Sequence, residues 1–387
     1  MRSLPGIRPQ TKRQFRARQP LKSGWLALMV VAGMGWFGPA AAAILSSAAV
    51  VSLAAVSAQS PATAVQNASL QRGPFSWPWE VSFERVQRAM SAETFRSRQV
   101  RRALVVGANS SRWVGVQEEL VHAGSTTSGG ERFSLTMTGV EGKTLSEPDL
   151  ARRQHEFSRQ AGSIHEYQSF RVVDSAAAAS NYRLSFLGLG RRAHRVTYRF
   201  ATYAIRGDRS AWILDLDMIT GYPLYCGEYD LAGQLVSELE VTEFQPLKAV
   251  PTTVTWWKPH MTVTEFAKRP TSAGSLGVPG ASVPASSTLP AGFDFELSRI
   301  VEDPLTGAKQ SVLVYTDGVD RLFVVQSKSP QNELLRNGGH AVGVFQSQGM
   351  TQCLFVHRGV SRLLVGRGHA GPLKLVAQAF YAQLVQG

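Results

Sequence analysis

Two His-Glu pairs are the residues of this sequence whose types could bind a metal ion. They are His155-Glu156 and His165-Glu166, which lie ten residues apart. A zinc site on one helix needs its two histidines four residues apart, so that both rings point from the same face. The spacing does not meet this requirement and indicates surface histidines beside a polar helix. No metal site and no cofactor is expected.

Motifs for phosphate binding and nucleophilic catalysis are also incomplete. Gly188-Leu189-Gly190 lacks the third glycine and the following helix that cradle a pyrophosphate. There is no G-x-S-x-G elbow, and Cys226 lies in a predicted strand with no base close to it in sequence. Catalytic partners can be distant in sequence, so an exported hydrolase using one of the histidines above stays an alternative. The sequence favours a binding protein, not an enzyme.

Aromatic residues indicate what such a protein could bind. A cavity for acyl chains needs little polar decoration, because burial of apolar surface contributes about 25 cal/mol per Å² without any directional bond. The candidates for the wall of a lipid cavity are Trp113, Phe186, Phe200 and Trp212. Ordinary core packing is the alternative for each of them.

The elements that would position these residues are mostly strands. Residues 212–245 predict three short strands, because 217–221 and 230–233 carry the Asp and Gly residues that turns favour. Alternating or short apolar runs predict further antiparallel strands at 100–106, 113–121, 133–137, 182–186 and 195–205. A helix is predicted over 78–90, and a surface helix over 148–160.

The composition changes after residue 245. Prolines are spaced through 246–290, and 270–293 contains no charged residue, which predicts a flexible or partly extended connector with a short strand at 263–266. The apolar runs on both sides of Asp317-Gly318 predict a hairpin, and apolar residues at three- and four-residue spacing predict a terminal helix over 372–385. The predicted units are an export signal with spacer at 1–71, a first domain at 78–245, a linker at 246–290 and a second domain at 291–387.

The N-terminus has the pattern of an export signal. It holds seven basic residues and no acidic one before an uncharged stretch that ends at Arg72. Cleavage after the small residues at 41–43 or 56–58 is preferred. An uncleaved inner-membrane anchor is the alternative, because the apolar region exceeds the ~20 residues that cross a bilayer. Either arrangement places the folded part outside the cytoplasm, where nucleic acid is not an expected partner.

The net charge and the cysteine content give only weak evidence about function. Without the seven N-terminal basic residues, 34 basic residues remain against 28 acidic ones, a modest surplus that is weak evidence for an acidic partner or anionic lipid. Cys226 and Cys353 fall in different predicted domains, which excludes a small disulfide scaffold. Two separate thiols are expected, and a bridge between them is the alternative.

Several motifs resemble those of one known family. They are GRRA at 190–193, DLDMITGYPL at 215–224, YDLAGQL at 229–235, LPAGF at 289–293 and VYTDG at 314–318. Together they resemble the MucB/RseB family of periplasmic sigma-factor regulatory proteins, from about Glu80 to the C-terminus. The resemblance implies an α+β fold. It consists of a curved antiparallel sheet wrapped on helices, similar to the LolA-type lipoprotein carriers, and a smaller α+β C-terminal domain.

The same resemblance implies a function. Such proteins are not enzymes; they bind the periplasmic part of a transmembrane anti-sigma factor and protect it from proteolysis, and the first domain is thought to sense lipid or lipoprotein. It implies Tyr315, Asp317 and Gly318 as candidates for partner binding. The alternative is a periplasmic lipid or lipoprotein carrier that uses only the first domain. The sequence leaves the oligomeric state open.

Overall fold

A computed structural model describes residues 78–106, 111–127, 131–167, 169–207, 209–259, 261–270, 273–305, 307–328, 343–347, 350–367 and 370–386. These residues form two antiparallel sheets and four α-helices, which confirms the predicted α+β class. The predicted export signal lies outside them. Within the described ranges, no helix combines the length and apolar character needed to cross a membrane.

The first sheet has eight strands in the order β3-β2-β1-β8-β7-β6-β5-β4. Each neighbouring pair is antiparallel, and the strands predicted from the apolar runs are all present in it. Their bounds are β1 Phe95–Val106, β2 Ser111–Ala123, β3 Arg132–Val140, β4 Tyr182–Arg192, β5 Arg195–Ala204, β6 Ala211–Asp217, β7 Pro223–Tyr229 and β8 Leu235–Pro246.

Three helices belong to the first sheet: α1 at Phe83–Ala92, α2 at Glu147–Tyr167 and α3 at Ser175–Asn181. Helix α2 was expected to be a surface helix, yet it buries Phe157, Ala161 and Ile164. These three residues are spaced by four and three, so one narrow apolar face packs on the sheet although most of the helix is polar. Helix α3 is not predicted by apolar periodicity, because its turns consist mainly of alanine.

Two clusters form the core of the first unit. Helix α1 covers Phe200 and Trp212, and α2 covers Phe95 and Leu224. All three helices therefore lie against one antiparallel sheet, as the resemblance implies.

The second sheet has seven strands in the order β13-β14-β15-β12-β11-β10-β9. Helix α4 at Ala370–Gln386 packs on it through Leu373, Val376, Ala377 and Phe380, which confirms the predicted terminal helix. The strand bounds are β9 Thr262–Phe266, β10 Asp294–Glu302, β11 Lys309–Thr316, β12 Arg321–Lys328, β13 Gly343–Ser347, β14 Met350–His357 and β15 Val360–Arg367.

The connector, predicted as flexible or partly extended, contains the predicted short strand as β9, but part of the rest is packed. Strand β9 pairs with β10, and Leu276, Val278 and Ala281 are buried in the core of the second unit. Gln326 accepts a hydrogen bond from Ser282 N at 2.9 Å and donates one to Ser282 O at 2.7 Å. Part of the connector is therefore packed on the second unit, whereas residues 262–269 are exposed.

The two cysteines stay separate. Cys226 and Cys353 are buried and free. Burial raises the pKa of the Cys226 thiol to about 12, so the group behaves as a small apolar residue.

Candidate functional site

The hairpin between β11 and β12 reaches from the second sheet into the first unit. Asp317 Oδ1 accepts hydrogen bonds from the backbone of Val319 at 3.0 Å and of Asp320 at 2.8 Å, which closes the turn. Its other oxygen, Oδ2, accepts a hydrogen bond from the hydroxyl of Tyr182 at 2.8 Å. Tyr182 is the first residue of β4. One buried carboxylate therefore both shapes the hairpin and connects the two sheets.

Gly318 lies directly against helix α3. Its carbonyl accepts a hydrogen bond from Val173 N at 2.8 Å, and its φ of 102° lies in the region that favours glycine. A Cβ at this position would lie 2.6 Å from Ala178 Cα. Any other residue would push the hairpin away from α3.

The LPAGF and VYTDG motifs meet on residues of the first unit. The guanidinium of Arg209 contacts both the Asp317 carboxylate and the Ala291 carbonyl. The side-chain amide of Asn181 donates to Asp317 O at 3.0 Å and to Gly292 O at 3.3 Å. Both motifs of the second unit thus contact the same edge of the first one.

A second polar connection is formed by Arg367 at the end of β15. Its Nη1 lies 2.6 Å from Glu228 Oε2 of β7, and both side chains are almost fully buried. Arg367 Nη2 also donates to the carbonyl of Tyr167 at 2.6 Å, and the guanidinium lies 4.9 Å from the ring centroid of Trp212. Burial of an ion pair is costly unless further hydrogen bonds offset it, and the bond to Tyr167 O is one of these. We call the two connections together the joint: Asn181, Tyr182, Arg209, Glu228, Asp317, Gly318, Asp320 and Arg367.

Burial changes the acid–base behaviour of the joint. It raises the pKa of Asp320 to about 7, and the neighbouring Asp317 charge acts in the same direction. The positive charges of Arg367 and Arg209 oppose this increase. Burial and the two carboxylates also raise the pKa of Tyr182, so its hydroxyl remains a hydrogen-bond donor at physiological pH.

Of the residues predicted for partner binding, Asp317 and Gly318 lie in the joint, whereas Tyr315 lies in the core of the second unit. Tyr315 and Asp317 are fully buried, and Gly318 packs on α3. An Asp-Gly pair between two apolar runs is typical of an exposed hairpin turn, but here the turn packs on a second unit that the local sequence does not show. In this conformation, Asp317 and Gly318 connect the two units and present no exposed surface.

The four lipid-cavity candidates have different surroundings. Phe200 and Trp212 are buried at 3% and 1% exposure in the cluster under α1, where core packing accounts for them. Phe186 is half exposed on the edge strand β4, with its ring 5.5 Å from that of Phe200. Trp113 lies on β2, near the opposite end of the sheet. The structure packs Phe200 and Trp212 in one core cluster, with Phe186 at its exposed edge and Trp113 apart from them.

The charged residues of the first-sheet motifs pair with one another. Asp215 accepts hydrogen bonds from Arg192 at 2.8 Å and from Arg199 at 2.7 Å. Asp217 accepts two from Arg195, both at 2.8 Å. Arg192, Arg195 and Arg199 therefore connect strands β4 and β5 to β6.

A cluster that sequence reasoning missed lies under α2. His122 of β2, Glu131 before β3 and His165 of α2 each offer a ligand atom within 4.8 Å of the other two. His155, on the same helix as His165, is exposed. Burial lowers the pKa of His165, which keeps its ring neutral. The spacing of the residues along the chain gives no sign of this cluster, because it depends on the packing of the helix on the sheet.

Comparison with known proteins finds structural relatives. No family model and no curated protein matches the sequence. The chain is similar in structure to MucB in the complex of MucA and MucB from Pseudomonas aeruginosa, with 20% identity, 76% of this chain and 95% of that chain covered, and a TM-score of 0.47. For MucB alone the identity is 18%, the coverage 76% and 94%, and the TM-score 0.47. A LolA superfamily protein from Nitrosomonas europaea matches with 11% identity, coverage of 44% and 96%, and a TM-score of 0.17.

Proposed function

We propose that this chain is a periplasmic, non-catalytic regulator that binds the periplasmic part of a transmembrane anti-sigma factor. Through that binding it protects the anti-sigma factor from proteolysis and acts as a negative regulator of an extracytoplasmic sigma factor. The observation that carries the proposal is the meeting of the LPAGF and VYTDG motifs at the joint, on Asn181 and Arg209. The motifs behind the family resemblance therefore set the arrangement of the two units.

The joint gives these motifs an indirect role in partner binding. Asp317 and Gly318 do not contact the partner; they hold the two units in the arrangement that binds it. A ligand can release the partner only by favouring an arrangement with lower partner affinity. Buried polar contacts are suited to switching between two arrangements, because a buried hydrogen bond or ion pair loses much of its stabilising free energy when one partner moves away.

Lipid sensing requires the first unit to open. A cavity lined by Leu120, His122 and Tyr222 encloses about 30 Å³, and a second one at the joint about 10 Å³. Ligand pockets usually enclose about 300–1,000 Å³. Neither of these two cavities has room for an acyl chain, so we propose that one enters when α1 moves away from Phe200 and Trp212.

One hydrogen bond connects α1 to the joint. Gln87 of α1 donates to the carbonyl of Val173 at 2.6 Å, and the N–H of Val173 donates to Gly318 O at 2.8 Å. Movement of α1 would therefore pull on the backbone that holds the hairpin. This contact provides a direct physical route from a lipid under α1 to the arrangement of the two units.

The proposal is tested by affinity capture from detergent-solubilised envelopes, with and without added lipoprotein extract. We expect recovery of a single-pass anti-sigma protein that is lost when the extract is added. The variant Gln87→Ala should capture the same protein but release less of it, whereas Arg88→Ala, exposed on the same helix, should behave as the unmodified chain. Recovery of lipoproteins or lipids without such a partner would instead establish the carrier.

A further inference from the structure

His122, Glu131 and His165 each place a potential ligand atom within 4.8 Å of the other two. His122 Nε2 lies 3.4 Å from Glu131 Oε1. Two ligand atoms that are each about 2.1 Å from a tetrahedral zinc ion are separated by roughly 3.4 Å. A direct hydrogen bond between an imidazolium and a carboxylate would be shorter, about 2.7–2.9 Å. This separation is longer than that of a strong ion pair, and an ion can lie between the two atoms.

The tautomer of His122 is fixed in the form that binds metals. Its Nδ1 lies 2.7 Å from the carbonyl oxygen of Glu93. A carbonyl oxygen only accepts, so Nδ1 carries the hydrogen and donates it. In a neutral ring, Nε2 then presents its lone pair to the cluster. Metal-binding histidines in proteins commonly make this contact through the other ring nitrogen.

His165 supplies an independent sign that a ligand is needed. Its Nε2 is buried and has no hydrogen-bond partner among the residues that the structure describes. The ring stacks on Phe133 with 4.0 Å between centroids, which restricts its rotation. A buried polar nitrogen without a partner loses the hydrogen bond it would make to water, and a metal ion at the cluster would replace that interaction.

The surroundings leave room for an ion and a water ligand. Both histidines line the cavity of about 30 Å³, whereas one water needs about 10–15 Å³ on the same measure. Arg171 also binds Glu131, with Nη2 2.5 Å from Oε1. Oε1 has a second lone pair that can face an ion, and the guanidinium fixes the direction of the carboxylate.

We propose that His122, Glu131 and His165 bind one divalent transition-metal ion of the zinc class. Two imidazoles and one carboxylate, with water as the fourth ligand, form a donor set that zinc accepts. The sequence predicts no metal site here, since the ligands come from β2, from the residue before β3 and from the last turn of α2. The ion would fix that turn, and Tyr167, two residues further on, accepts the hydrogen bond of Arg367 at the joint.

Metal binding is measured on the chelator-treated chain by competition with a chromophoric zinc indicator. We expect one zinc ion per chain, and a dissociation constant at least about 100-fold higher for His165→Gln. His155→Gln, which changes an exposed histidine on the same helix, is the matched control and should bind as the unmodified chain. Circular dichroism shows whether each variant is folded.

Addition of cobalt(II) to the unmodified chain gives a second measurement that needs no variant. Visible absorption bands of a four-coordinate cobalt ion, removed by one equivalent of zinc, are the expected result. If the unmodified chain binds neither ion, or if His165→Gln and His155→Gln bind zinc equally, the cluster is only a histidine–carboxylate ion pair and the proposal is wrong.

Discussion

The hydroxyl of Tyr182 donates a hydrogen bond to Asp317 Oδ2 at 2.8 Å, across the boundary between the two sheets. Tyr182 begins the edge strand of the first sheet, and Asp317 begins the hairpin turn of the second. Both side chains are buried. The two units are therefore connected through specific polar groups that cannot slide freely past each other, and changes to these groups have defined consequences.

Loss of the tyrosine hydroxyl should weaken the joint. Tyr182→Phe leaves one bond fewer to the buried Asp317 carboxylate, so we expect a decrease of about 1–3 kcal/mol in the free energy of unfolding. Urea unfolding monitored by fluorescence measures it. Tyr203→Phe removes a hydroxyl from a half-exposed tyrosine of β5 and should change the stability far less. Equal stability of the two variants would contradict the role given to Tyr182.

A methyl group at Gly318 should separate the hairpin from α3. Gly318→Ala combines an unfavourable φ with a backbone clash against Ala178, so the joint must open. Gly359→Ala is the matched control, because its φ of 75° is also positive but its Cβ would meet no atom within 4 Å. We expect limited proteolysis to cleave Gly318→Ala between the units, and Gly359→Ala to resist cleavage. Equal cleavage of both variants would show that backbone strain alone matters.

The buried Asp320 should make stability depend on pH. Its pKa is about 7 in the folded protein, compared with about 3.9 in an unfolded chain, so the folded state binds this proton more tightly. The stabilising contribution is complete below about pH 4 and is lost as the pH rises through about 7. The variant Asp320→Asn removes the titrating carboxyl group and with it this dependence of stability on pH.

The measurement for Asp320 is urea unfolding from pH 4.5 to pH 8. The stability of the unmodified chain relative to Asp320→Asn should fall across this range. A difference that stays constant with pH would mean that Asp320 is charged in the folded protein throughout.

The pair formed by Arg367 and Glu228 should show strong coupling. Removing one partner of a buried ion pair costs about 3–5 kcal/mol, because the other charge is left uncompensated. Arg367→Gln and Glu228→Gln should each destabilise the protein, and the double variant should cost much less than the sum. The same double-mutant cycle applied to the exposed pair of Arg88 and Glu84 should give a coupling energy of about 0.5 kcal/mol or less. If the stability losses of Arg367→Gln and Glu228→Gln simply add in the double variant, the two side chains do not form a buried ion pair.

Local patterns predicted the strands, the hairpin at Asp317 and the terminal helix, because each depends on neighbouring residues. Helix α3 was missed, since its alanines carry no apolar period, although Asp174 caps it by accepting from the backbone of Ala176 and Ala177. The connector was predicted to be flexible or partly extended, and its packed part was not foreseen, because small uncharged residues occur both in linkers and in cores.

The candidate site was predicted less well, because contacts between distant residues decide it. The motif at 314–318 was recognised, but the role of Asp317 depends on Tyr182 and Arg209, which the hairpin reaches only in the folded chain. The cluster of His122, Glu131 and His165 likewise forms only when α2 packs on the sheet. Trp212 and Phe200 point to the inner face of the sheet, where a cavity wall and a packed core would use the same alternating positions. Only the position of α1 shows that they belong to the core.

The central claim is that the joint holds the two units in the arrangement that binds an anti-sigma factor. Its most direct test is titration calorimetry of the purified chain with the periplasmic region of the anti-sigma protein captured from envelopes. We expect saturable binding by the unmodified chain and by Gly359→Ala, and binding weaker by about 10-fold or more for Gly318→Ala. No binding by the unmodified chain, or equal affinities for all three, would contradict the claim.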